Sequence, residues 1–94
     1  MDYLNEIDRM VNYAASAGVT REEGHEFVQE LINGRQKAAE EINSGKLTPR
    51  EVSERELVIR KVTGFLENLL LRDRVLSRET KRLIAKAPAP VLRY

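Results

Sequence analysis

The apolar positions of this 94-residue chain fall into helix-spaced groups. Leu4, Ile7, Val11 and Ala14 are spaced 3, 4 and 3 residues apart, which aligns them on one helical face. This predicts a first helix from about Tyr3 to Ala17, with Asp2 as its cap and Gly18 as its left-handed stop. A second group, Phe27, Val28, Leu31, Ile32, Ala38, Ala39 and Ile42, predicts a helix from just after Thr20 to Asn43, ended by Gly45. A third helix is predicted from just after Thr48 to about Leu71. It carries Val52, Leu57, Val58, Ile59, Val62, Phe65, Leu66, Leu69, Leu70 and Leu71, which cover more than one stripe. An apolar arc this wide marks a helix that is central to the fold or shared with a second subunit. A short fourth helix is predicted from after Ser77 to Lys86, with Leu83 and Ile84 facing inward. The 72–76 junction is either a turn or a continuation of one long helix.

The helix starts carry their own chemistry. Val19-Thr20-Arg21-Glu22-Glu23, Leu47-Thr48-Pro49-Arg50-Glu51 and Leu76-Ser77-Arg78-Glu79 each place a hydroxyl N-cap before an acidic first turn. The hydroxyl accepts from orphan backbone N–H groups, and the carboxylate suits the positive helix end. Thr20 with Glu23, and Thr48 with Glu51, have capping-box spacing, and Pro49 stands at the first helical position. The caps recur at intervals of 28 and 29 residues, but the apolar positions after them do not superimpose, so they mark hairpin arms of equal length rather than a repeat. Asn33-Gly34 either breaks the second helix or, with Ala38, lets a neighbouring helix approach closely. Glu51 with Arg55, and Glu56 with Arg60, have the i,i+4 spacing of an exposed helix face.

These elements predict an all-α protein: an antiparallel bundle of three longer helices and one short C-terminal helix over residues 1–86. Residues 87–94 form an extended Pro-containing tail, because alternating prolines cannot continue a helix. The tail is either a disordered end or a strap docked through Val91, Leu92 and Tyr94. One small core is only marginally stable, so a homo-oligomer with the third helix as seam is expected.

The net charge of +1 conceals an asymmetry. Residues 1–45 hold four basic against nine acidic side chains, and residues 46–94 hold twelve against six. The basic stretch 72–86 contains Arg72, Arg74, Arg78, Lys81, Arg82 and Lys86. It suits an acidic protein surface or nucleic acid, unless the two halves attract each other within the fold or between subunits. The absence of cysteine excludes disulfides and thiolate chemistry. No apolar run is long enough for a membrane span, and the N-terminus lacks the pattern of a signal peptide, so a cytoplasmic location is expected.

Catalytic patterns are sparse. Glu22 and His25 form Glu-x-x-His, which in di-iron bundles supplies part of a metal site. With one His per chain, such a site needs two subunits and further ligands such as Glu6 or Glu26; an exposed polar face is the preferred reading. Glu22, Glu26 and Glu30 make an acidic ridge, either solvated or receiving a basic segment such as 72–86 of a second copy. Leu47–Val52 resembles the opening of a helix-turn-helix, but the Gly-containing turn that should follow is absent. No nucleophile–base pair and no phosphate-binding glycine loop can be read, and five scattered aromatic residues make no base-stacking platform. Neither enzyme activity nor a cofactor is expected.

Gly18-Val19-Thr20-Arg21-Glu22-Glu23-Gly24, followed by Phe27-Val28-Gln29-Glu30-Leu31-Ile32 and Gly34, resembles the helix-entry pattern of phasin-like proteins. The resemblance covers residues 15–42 and implies an amphipathic helical protein that coats polyhydroxyalkanoate granules or builds coiled-coil assemblies. The residues themselves lead to a small non-catalytic protein–protein interaction module: a regulator, inhibitor or assembly adaptor. Phe65, Leu66, Leu69 and Leu70 are its expected apolar anchors, with Arg72, Arg74, Arg78 and Arg82 steering an acidic partner. Nucleic-acid binding by the same arginines is the alternative.

Overall fold

A computed structural model describes residues 2–17, 21–72, 77–87 and 90–92. Its helices are α1 (Asp2–Ala17), α2 (Arg21–Asn43), α3 (Pro49–Arg72) and α4 (Arg78–Lys86), and no strand occurs among the described residues. The protein is all-α. Helix α1 starts at Asp2, so Asp2 belongs to the first turn rather than capping it.

Two of the three expected caps lie in described residues. Thr48 N–H donates to Glu51 Oε1 at 3.1 Å, and Glu51 N–H donates to Thr48 Oγ1 at 3.3 Å. This is the reciprocal capping box, and it satisfies two donors that the first turn cannot. The bond from the Thr48 backbone foremost, and a second from the Thr48 hydroxyl at 3.0 Å, hold the Glu51 carboxyl below the ordinary carboxylate range. Ser77 Oγ accepts from Thr80 N–H at 3.2 Å while its own backbone is extended, so α4 begins afresh there instead of continuing α3. The Thr20 cap lies outside the described residues. Gly45, at φ +74°, stops α2 in the left-handed conformation that suits glycine.

Contacts between elements set the directions. Arg35 meets Thr63 and Glu41 meets Arg55, so α2 and α3 run antiparallel. Gly34 lies against Ile7 and Lys37 against Tyr3, so α1 and α2 are antiparallel as well. Lys61 on α3 bonds Asp8 on α1 at 2.6 Å. His25 meets Thr80 near the start of α2 and of α4, and Asn43 at the end of α2 meets Val91 beyond the end of α4, so α4 follows the direction of α2. Helix α3 packs on all three others.

The core comprises Leu4 and Ile7 of α1, Val28 and Leu31 of α2, Val58, Val62 and Leu66 of α3, and Ile84 of α4. Helix α2 runs unbroken through Gly34, where an added Cβ would overlap the Ile7 side chain. The glycine there serves the close approach of α1. In the tail, Asn43 Nδ2 donates to the Val91 carbonyl at 2.9 Å. The Val91 side chain remains 69% exposed, so the described contact is made by the backbone rather than by an apolar anchor. Tyr94 lies outside the described residues.

Candidate interaction surface

Helix α4 is held in place by a polar chain. Thr80 is fully buried, and its hydroxyl lies 3.2 Å from His25 Nδ1 and 3.0 Å from the Ser77 cap. Ile84 enters the core and Leu83 packs beside it. With that face committed inward, Arg78 and Arg82 stand exposed one turn apart on the other side. Lys86 extends this basic ridge by another turn, toward the negative helix end that favours it.

The expected apolar anchors separate into two groups. Leu66 is 2% exposed and part of the core. Phe65 is half-buried edge-on against Phe27, with ring centroids 6.0 Å apart, and Leu69 packs on the same cluster. Leu70 stays 41% exposed, and its neighbour Leu71, not among the expected anchors, 83%. The surface at the end of α3 is therefore made by Leu70 and Leu71, while Phe65, Leu66 and Leu69 hold the bundle together. Of the four arginines, Arg78 and Arg82 belong to the exposed face of α4. Arg72 ends α3, and Arg74 lies outside the described residues.

Ionic contacts join the two oppositely charged halves within one chain. Asp8 pairs with Lys61, and Glu41 with Arg55 at 2.9 Å. The Arg55 contact overturns the expectation of an exposed i,i+4 pair with Glu51, because Arg55 is fully buried. Glu56 and Arg60 do pair along the helix at 3.8 Å.

Arg55 anchors a polar cluster that the pattern of apolar residues does not reveal. Its Nε bonds Glu41, its Nη1 lies 3.6 Å from Glu54, and neither Nη has a hydrogen-bond partner among the described residues. Burial opposes its charge, but Glu41 and Tyr3 together outweigh burial and raise its pKa. Burial likewise works against the Glu41 carboxylate, and Tyr3, Arg55 and Lys37 together hold it below its ordinary range. The Tyr3 hydroxyl sits beside both residues without a formed hydrogen bond. Burial, reinforced by Glu41, pushes it up to about 12. Lys37 Nζ lies 4.4 Å from the centre of the Tyr3 ring, a cation–π contact. Arg35, 4% exposed, donates to Thr63 Oγ1 at 3.1 Å, and its burial lowers its pKa. The sequence signal for these arginines is their spacing: Arg35 falls in line with Leu31, Ala38 and Ile42, and Arg55 with Val58 and Val62, so each stands on the apolar stripe of its helix.

Among the described residues no group of three or more His, Asp or Glu side chains is arranged to hold a metal ion. His25 uses its Nδ1 toward Thr80. No helix among the described residues is long and apolar enough to cross a membrane. No family model, curated protein or solved structure matches the chain.

Proposed function

We propose that this protein acts without catalysis, as a protein–protein interaction module that binds an acidic partner through the end of α3 and the outer face of α4. The observation that carries this reading is the exposure of Leu70 and Leu71 at the end of α3 together with that of Arg78 and Arg82 on α4. Apolar side chains supply contact area, and arginines beside them speed and orient the encounter with negative charge. A role as regulator, inhibitor or assembly adaptor follows from a surface that recognises without reacting. The likeness of residues 15–42 to phasin-like proteins points the same way, toward assembly.

The test compares affinity capture by the wild-type chain with capture by Arg78→Glu/Arg82→Glu, circular dichroism serving as the control for folding. Loss of acidic partners at unchanged helicity supports the reading, and an unchanged captured set refutes it. Nucleic-acid binding by the same ridge is separated by absorbance at 260 and 280 nm on a sizing column. A 260 nm excess that disappears at high salt would transfer the role to phosphate contacts. With three Tyr and no Trp, the protein's own absorbance cannot hide that signal.

A further inference from the structure

The outer face of α3 is unexplained by the fold of one chain. Seven residues return an α-helix to within about 20° of its starting direction, so Leu57, Gly64 and Leu71 lie on one line. That line is opposite the core positions Val62 and Leu66. Leu57 is 52% exposed and Leu71 83%. Between them, a Cβ added to Gly64 would meet nothing within 4 Å among the described residues, so none of their packing requires the glycine. Two large apolar side chains flanking a bare stretch of backbone form a surface on which another helix can lie close.

We propose that a second copy of this chain covers this face, its α3 antiparallel to the first, about a two-fold axis at Gly64. The sequence around the glycine is complementary to its own reverse. In this register Leu57 faces Leu71 of the second copy, and by symmetry Leu71 faces Leu57. Arg60 comes alongside Glu67 of the second copy on one edge of the seam, and Lys61 alongside Asn68 on the other. Glu67 is exposed, and Arg60, 3.8 Å from Glu56, keeps 78% of its side chain accessible to a second carboxylate. Glycine at the axis brings the backbones together, and the paired leucines close the contact on either side. This deepens the reading of the chain as an interaction module by naming one partner. Leu71 belongs to both surfaces, but Arg78 and Arg82 lie outside this one, so Arg78→Glu/Arg82→Glu tests the acidic-partner reading and Gly64→Leu tests the dimer.

The experiment is light scattering over a concentration series, joined to cysteine cross-linking. A chain without cysteine reports cleanly from one introduced thiol. Dimer is expected for the wild type and for Arg78→Glu/Arg82→Glu. It should be lost in Leu57→Lys and in Gly64→Leu, the latter with equal or greater helicity because its side chain enters open space. On mild oxidation, a mixture of Leu57→Cys and Leu71→Cys chains should form linked dimers, and neither protein alone should. Like positions stand about 20 Å apart in the antiparallel register, beyond the Cα separation of about 7 Å that a disulfide spans. Monomer at every concentration, a dimer that survives Gly64→Leu, or linkage of Leu57→Cys chains to one another would each overturn the proposal.

Discussion

Gly34 and Gly64 sit in the middle of α2 and α3, and propensity charges each about 1 kcal/mol against alanine. Their surroundings are opposite. Gly34 receives the Ile7 side chain where α1 crosses α2, whereas a Cβ at Gly64 would meet nothing within 4 Å among the described residues. The first glycine is accounted for by packing between two helices of one molecule. The second is not, and it stands between exposed leucines. A mid-helix glycine thus marks close approach only when something lies opposite it, and only the fold tells which glycine has a neighbour inside the chain.

The largest test of this inner–outer contrast is leucine truncation on α3. Leu66→Ala should lower unfolding stability by about 3 kcal/mol through lost burial and a residual cavity. Leu71→Ala on the outer face should stay within about 0.5 kcal/mol when measured on monomer. Denaturant titration of both at low concentration decides it, and equal losses would break the contrast.

Alkaline pH probes the packed side from another direction. The Tyr3 hydroxyl titrates near 10 when unfolded and is pushed up to about 12 in the fold, so the native state holds the proton more tightly. Its contribution is complete below pH 10 and is lost as pH rises toward 12. The loss amounts to about 3 kcal/mol at most, and Tyr3→Phe should flatten that window of the stability curve. Glu41 behaves in the opposite sense. Its lowered pKa gives stability that is complete above the ordinary carboxylate range and lost as pH falls through the lowered value.

The glycines themselves give a smaller effect, distinguished by its sign. Gly34→Ala should cost about 1 kcal/mol net, since displacing Ile7 costs about 2 kcal/mol and the helix regains about 1. Gly64→Ala should gain about 0.5–1 kcal/mol in the monomer. Thermal melts of the two variants at low concentration would show shifts of opposite direction; shifts of the same sign would dissolve the comparison. Of similar size, Thr48→Ala should cost about 1 kcal/mol by removing the capping hydroxyl at the start of α3, a loss readable by thermal melt.

Much of the architecture was legible in the chain. Apolar spacing and capping chemistry are local, and the element boundaries agree with them within about two residues. Leu4, Ile7, Val28, Leu31, Val62 and Ile84 are buried as their stripes require. The candidate surface was less legible. Phe65, Leu66, Leu69 and Leu70 look alike in the sequence, yet neighbouring helices cover the first three and leave Leu70 partly open. Arg55 sits at i,i+4 from Glu51 and reads as exposed, but the α2–α3 hairpin brings Glu41 to it from another element.

The sequence by itself determined the helical elements, the caps at Thr48 and Ser77 and the unequal charge of the two halves, because each depends on residues within a few turns of one another or on simple counting. Tertiary structure alone decided which part of the broad apolar arc of α3 is buried, that Arg35 and Arg55 lie inside, and that Gly34 is packed while Gly64 faces outward. These depend on the rotation of each helix about its axis. That rotation is set by the summed burial and pairing of residues far apart in the chain, which no local pattern records.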